Sequence, residues 1–510
     1  MDKIKEIIKK IYIEKIAFLM ILLVAIFVRF YKIGDIPQGL HVDETGMAYD
    51  SFCLANFRVD RYLNHLPVYL INFGGGQSAL YAYLSAIFVK LFGLGIMQVR
   101  MPAFILNILA IIASYFMVKK HVGKKSALLF MALFAITPWN IMASRWGLDC
   151  NLLAPLSVIS ICFLLKAEKI IDYIIAGMLF GITLYTYALS YLIIPIFLVF
   201  TLSYMLYNKK ITIKKIIIFG IPIIIFAIPL LLMILVNNGY INEIKGFITI
   251  PKLPEYRGNE ISVSKIKDNF LLINNLFTND DLVYNALPEF GTLYKIGVPL
   301  TIAGIFIELY HFIKNIKNKK FEINSIVFIL FISVFICMLL IDTPNINRAN
   351  AIYFPLIFFT YTTIKLIYKR YKSIFVIIII IYIFYFIKFE KFYFTEYNQK
   401  YNNQPYFEND LMIAINIVNS RENFKDKKID IYTLSAEPYI YVLYLTQMSP
   451  YEFNLEKDNA NNFDKYVFNS TEINENSVYI IKDNGDFVYE LVYLNGFSAE
   501  QYGNYIVCFK

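Results

Sequence analysis

Long runs of Ile, Leu, Val and Phe, each nearly free of charge, recur along the chain between short polar breaks that carry lysine. An α-helix needs about 20 such residues to cross a bilayer core of about 30 Å. Eleven segments fit: 16–33, 98–118, 126–143, 152–166, 170–187, 189–207, 214–236, 293–313, 325–342, 349–368 and 373–390. A twelfth, SALYAYLSAIFVKLFG at 78–93, is apolar and aromatic but short. Beyond residue 390 the pattern changes and Asn, Asp, Glu and Tyr become frequent. There DLMIAINIVNS has the period of a helix, and KKIDIYTL and SVYIIKDNG read as strands followed by turn signals. The expectation is a polytopic α-helical membrane protein. Residues 1–390 form its membrane domain, with large loops at 34–97 and 237–292, and 391–510 form a small α/β domain.

Composition agrees. The 510 residues are 58% hydrophobic and only 17% charged, against about 25% charged in a soluble domain. This excludes a soluble enzyme and a disordered chain. It also excludes an outer-membrane barrel, whose strands alternate polar and apolar positions. The net charge of +9 is read as orientation rather than nucleic-acid binding, because Lys and Arg gather on the cytoplasmic side. If 78–93 does not cross, one side collects 22 Lys and Arg while the short opposite loops hold only Arg145 and Arg348. If it does cross, the first five lysines oppose the rest. Residues 78–93 are therefore expected to lie in the interface. The N-terminus is then cytoplasmic, and the two large loops and the C-terminal domain are extracytoplasmic, at the plasma membrane. Five scattered cysteines suggest neither a disulfide framework nor a zinc site, and no internal repeat is visible.

Ionisable residues near the spans cluster at their outer ends: Arg29, Asp43, Glu44, Arg100, Arg145, Asp149, Asp342 and Arg348. Such charges are costly in a membrane and point to function. A transporter more often holds them at mid-depth on broken helices. The densest group is IPQGLHVDETGMAYDS, residues 36–51, directly after the first span. A carboxylate that loses water at such a boundary becomes a better proton acceptor for a hydroxyl. The competing reading is a helix start, with Asp43 as cap and Glu44 favoured by the helix dipole. The two roles are compatible.

One span followed by a long loop that opens on Asp-Glu resembles the C-type glycosyltransferases, in particular glycosyltransferase family 39 and its bacterial relatives. FGGGQSALYAYLSAIFVKLFG followed by Arg100, ITPWNIMASRWGLDCN (136–151), GMLFGITLYTYALSYLIIP (177–195) and NINRANAIYFP (345–355) are similar to family elements in the same order. The resemblance covers roughly residues 16–390. It implies an inverting transfer from a sugar carried on a polyprenyl phosphate to a glycan, lipid or protein acceptor. Asp43 resembles the family's catalytic aspartate, with Glu44 orienting it or the acceptor. Asp149 stands where relatives often carry a second acid, and its alternative role is to cap the next span. A phosphate leaving group departs charged and needs cations rather than an acid. Arg145 and Arg348 are the candidates, because guanidinium matches phosphate. For both the competing reading is an interfacial arginine reaching for water. Arg58, Arg61 and His65 are weaker candidates that a solvated face explains as well. Some relatives have Lys-Pro where this chain has Gln77-Ser78, so the phosphate ligand there is open.

No cofactor is implied, and a divalent metal stays open. No P-loop or nucleotide-sugar motif is present, which fits a lipid-linked donor. The rival readings are a lipid-linked glycan polymerase or ligase, which tends to carry a large late loop with arginines, and a lipid-linked-sugar flippase or transporter, which has no need of Asp43.

Overall fold

A computed structural model describes residues 2–256, 258, 261–278, 282–401, 406–433, 437–482 and 484–510, with side chains from Tyr12 onward. The chain opens with α1 (Asp2–Phe30), followed by α2 (Val42–Phe57), the strands β1 (Tyr69–Asn72) and β2 (Gly75–Ser78), and α3 (Leu80–Phe92). Next come α4 (Ile96–His121), α5 (Lys124–Ile136), α6 (Pro138–Ala143), α7 (Leu153–Lys166), α8 (Ile170–Thr183), α9 (Ser190–Tyr207) and α10 (Ile213–Asn237). After a loop with the short α11 (Ile266–Leu272) follow α12 (Gly297–Lys317), α13 (Ile323–Leu340), α14 (Tyr353–Arg370) and α15 (Lys372–Thr395).

All eleven segments read as spans are helical. Among the described residues eight helices are long and apolar enough to cross a membrane, by length and composition. The other three differ for local reasons. Over the part of α1 whose side chains are described, Glu14, Lys15 and Arg29 interrupt the apolar run. The segment 126–143 divides into α5 and α6 at Thr137–Pro138, where proline has no N–H to continue the ladder. Helix α8 stops at Thr183, and LYTY turns the chain instead of extending the helix to 187. Helix α3 has 13 residues, about 20 Å at 1.5 Å each, which is too short for the bilayer core.

The C-terminal region starts later than residue 391, because α15 runs on to Thr395. It contains α16 (Tyr397–Tyr401), α17 (Asn409–Ser420), β3 (Lys428–Tyr432), α18 (Pro438–Thr446), α19 (Pro450–Glu456), β4 (Tyr466–Phe468), β5 (Ser477–Ile481), β6 (Ser498–Tyr502) and β7 (Tyr505–Phe509). The sheet order is β4-β3-β5-β7-β6, with β3 parallel to both of its neighbours and β7 antiparallel to β5 and β6. The interior strand β3, between β4 and β5, carries a buried acid, Asp430, whose Oδ1 has no hydrogen-bond partner among the described residues. Burial pushes its carboxyl from an ordinary 3.8 to about 7. The folded state therefore favours the protonated form, and stability is lost as pH rises from about 4 through 7. Three decades of proton affinity correspond to at most about 4 kcal/mol. Asp430→Asn should flatten this loss. Thermal unfolding of the detergent-solubilised chain at pH 5 and pH 8 tests it, and equal pH slopes for the two proteins would refute it.

The α/β domain is fastened to the membrane domain through α2. Leu40, Ala48, Tyr49 and Cys53 share one buried core with Leu411 and Ile440. The Tyr49 hydroxyl donates to the Met448 carbonyl (2.7 Å), and the Tyr441 hydroxyl to that of Leu40 (3.1 Å). Gly39 makes the approach possible. Its φ is +79°, and a Cβ there would lie 2.7 Å from the Asn409 nitrogen.

Candidate active site

The start of α2 is set by its own residues. His41 is the N-cap, with Nδ1 accepting the Asp43 N–H (3.2 Å), while Glu44 Oε2 receives the His41 N–H (3.5 Å). This is the reciprocal capping box. Its consequence is to separate the two acids. Asp43 points outward, its side chain 38% exposed. Glu44 points inward and is fully buried.

Glu44 is occupied by the scaffold. Arg100 from α4 holds it at 2.9 and 3.1 Å, and the Gly147 N–H at 2.5 Å. The other Arg100 donors reach the carbonyls of Ile33, Pro37 and Gly39. The chain leaving α1 is thus pinned to α4 and to the 145–149 turn. Glu44 is part of the helix start on which Asp43 stands.

Asp43 Oδ1 accepts a hydrogen bond from Asn72 Nδ2 at 3.0 Å. Asn72 ends β1. Across the hairpin, on β2, the Ser78 N–H donates to Asp149 Oδ2 at 3.2 Å. One two-stranded clasp therefore ties Asp43 and Asp149, two of the three acids that the sequence singled out. Asp149 Oδ1 also receives the N–H of Cys150 (2.8 Å), at the start of the 3-10 turn Asp149–Leu152 that leads into α7. This is a helix-start role for a buried acid. The 345–355 element joins from the other side: Asn350 Nδ2 donates to the Cys150 carbonyl and to Asn151 Oδ1, each at 3.0 Å. That brings the loop of Arg348 against the turn of Asp149.

The proposed cations separate sharply. Arg145 is fully buried. Its two terminal nitrogens donate to five carbonyls, those of Val28, Arg29, Tyr31, Lys32 and Ile36. A cation on the orphan carbonyls of a helix C-terminus stabilises that end. Both terminal nitrogens, the fork a phosphate would need, are engaged by these carbonyls, while the buried Nε has no hydrogen-bond partner among the described residues. Arg61 is likewise buried, on Asp50 (2.7 Å). Burial alone would lower its pKa, but the facing Asp50 raises it well above the ordinary value. Arg61 is a structural ion pair, not a solvated side chain. Arg58 is exposed and caps the far end of α2 in the left-handed region, about 22 Å along the axis from Asp43 at 1.5 Å per residue. His65 bonds the Phe247 carbonyl (2.9 Å). Arg348 is half-buried, and its Nη1 bonds the Asp342 carbonyl.

His41 faces Asp43, Nδ1 to Oδ2 3.7 Å. Its ring lies against Trp146, Tyr284 and Phe407 at 5.4–6.0 Å between centroids. Phe407 comes from the C-terminal region, so an aromatic wall built from three parts of the chain stands beside Asp43. Among the described residues no three His, Cys, Asp or Glu side chains converge on a metal-sized site. The described acids do not form such a ligand set.

Residues 77–234 match the family model described as dolichyl-phosphate-mannose-protein mannosyltransferase. The match takes in Arg100, Arg145 and Asp149 and begins after Asp43 and Glu44. No curated protein matches the chain in sequence. Among solved structures, ArnT from Cupriavidus metallidurans in the apo state aligns at 12% identity with a TM-score of 0.59, covering 96% of this chain and 97% of that one. The same protein bound to undecaprenyl phosphate aligns with a TM-score of 0.56. The archaeal oligosaccharyltransferase AglB from Archaeoglobus fulgidus, in complex with an inhibitory peptide and a dolichol-phosphate, aligns at 11% identity and 0.50, covering 86% of this chain and 64% of that one. The chain thus shares the fold of ArnT over nearly its whole length, and residues 77–234 match the mannosyltransferase family model.

Proposed function

We propose that this protein transfers a sugar from a polyprenyl-phosphate carrier to an acceptor hydroxyl at the extracytoplasmic face, with inversion. The observation that carries the reading is the contrast among the three acids. Glu44 and Asp149 are buried and bonded to scaffold N–H and guanidinium groups. Asp43 is open, with one oxygen held by Asn72 and the other free for a substrate proton. Support for the lipid donor comes from the fold shared with ArnT, which binds undecaprenyl phosphate, and from the matched family model.

In this scheme Asp43 Oδ2 accepts the hydroxyl proton as the oxygen attacks the anomeric carbon. The bond from that carbon to the phosphate oxygen breaks on the opposite side, and its electron pair stays on the polyprenyl phosphate. Glu44 and Asp149 hold the helix start and the clasp. Arg348, on the loop that packs against the Asp149 turn, is the cation assigned to the phosphate. Arg348→Ala should weaken donor use, raising the apparent KM for donor more than Arg348→Lys does, because lysine keeps the charge but loses the fork. Equal KM values for both variants and wild type would move the phosphate site elsewhere.

The side of the membrane is tested separately. In a background lacking the native cysteines, Ser264→Cys should react with an impermeant thiol reagent on intact cells, and Asn318→Cys only after lysis. The reverse pattern would invert the proposed topology. The function itself is tested by mass spectrometry of envelope glycans and proteins from a deletion strain. One glycan should lack one sugar, restored by the wild-type chain. Unchanged glycans would overturn the reading.

A further inference from the structure

Helix α2 carries Asp43, Gly46 and Asp50 at spacings of three and four, which is one stripe down one side. A chain of hydrogen bonds runs alongside that stripe. Asp50 accepts from three Arg61 donors: the backbone N–H at 3.0 Å, Nε at 3.1 and 3.2 Å to its two oxygens, and Nη2 at 2.7 Å. The same Nη2 donates to Asn72 Oδ1 at 3.0 Å. Asn72 Nδ2 then donates to Asp43 Oδ1, also at 3.0 Å. Asp50 and Arg61 are fully buried, and Asn72 is 8% exposed. Gly46 leaves the room. A Cβ there would lie 2.6 Å from both Arg61 Nη2 and Asn72 Oδ1.

The order of this chain fixes its chemistry. Guanidinium has donors and no acceptor, so Asn72 must turn its carbonyl oxygen to Arg61. Its NH₂ then has one direction left, toward Asp43. An asparagine without Arg61 could flip its amide and present an oxygen to the carboxylate. With Arg61 locked by Asp50, it cannot do so without breaking a bond to a buried charge.

We propose that Asn72 is a positioning residue for the base, and that the Asp50–Arg61 pair exists to fix its amide. Asp43 Oδ1 is occupied, so Oδ2 alone is presented to the acceptor hydroxyl. This rests on Asp43 being the base. Asn72 touches no reacting atom, so its loss should appear in kcat and not in donor KM. A misplacement of about 1 Å can cost about 10²-fold. Asn72→Ala should therefore lower kcat about 10–100-fold. Asn72→Asp should be at least as low, because its second oxygen would face Asp43 and the two carboxylates would compete for one proton. Arg61→Lys keeps a charge beside Asp50 but loses the fork, and should fall between wild type and Asn72→Ala.

The experiment uses the full-length chain in lipid nanodiscs. The donor is the producing strain's extracted, tritiated lipid-linked sugar pool, and the acceptor is its delipidated envelope fraction. Turnover is normalised to folded protein by thermal unfolding, and Asp43→Asn is run in parallel. Support is a fall in kcat in the order Arg61→Lys, Asn72→Ala, Asn72→Asp, with donor KM within threefold of wild type. If Asp43→Asn is dead while Asn72→Ala turns over within threefold of wild type, the positioning role falls and the base assignment stands. If both variants turn over like wild type, the base assignment falls and takes this proposal with it. Loss of folded protein with normal turnover of the remainder would assign Asn72 to the scaffold and overturn the proposal.

Discussion

Asparagine at position 43 should reduce sugar transfer about 10²–10⁴-fold, the usual contribution of a positioned base. The change is almost isosteric. It leaves the His41 cap intact, because that bond is made by the backbone N–H of residue 43 and not by its side chain. It also leaves an oxygen that can accept from Asn72. Folding should therefore persist, and the loss should appear in kcat rather than in donor KM. The measurement is turnover of the lipid-linked sugar pool by purified wild type and variant at matched folded concentration. Turnover within tenfold of wild type would remove Asp43 from the chemistry and leave it only a place at a helix start.

The architecture was legible because membranes impose long apolar helices. Every apolar run became helical, with breaks inside two runs, at Pro138 and after Thr183. The polar site was only half legible. The grouping of Asp43 with Glu44 was visible as two adjacent acids. Adjacent residues on a helix lie about 100° apart, however, so one opens to solvent and the other to the core. Which faces which depends on Arg100, a partner 56 residues away in sequence. The arginines misled for a related reason. An arginine at a span end reads the same whether it meets phosphate, water or helix carbonyls, and Arg145 meets carbonyls. Asn72 went unnoticed as a neutral residue in a short loop strand. The stripe of Asp43, Gly46 and Asp50 could have hinted at it, since a glycine between two acids on one helical face marks a close approach.

The largest expected effect on stability lies at Arg100. Its side chain and that of Glu44 are both fully buried. Arg100 joins the end of α1, the start of α2 and the body of α4 through one guanidinium. Arg100→Leu leaves the Glu44 carboxylate in the core with only N–H donors from His41 and Gly147, and it orphans three carbonyls between Ile33 and Gly39. Breaking one partner of a buried pair costs about 3–5 kcal/mol, a large share of the about 5–15 kcal/mol that holds a folded domain together. The variant should express poorly and lose cooperative unfolding. Glu44→Gln keeps the shape and two acceptor sites on its oxygen, and it spares the three Arg100 carbonyl bonds, so it should fold with a smaller loss of stability. If Glu44 acts only through position, Glu44→Gln should also retain turnover within about tenfold once normalised to folded protein. A collapse of turnover in a well-folded Glu44→Gln protein would return Glu44 to the chemistry. A stable Arg100→Leu protein would mean that the helix start, and with it the aim of Asp43, is held by something other than this pair.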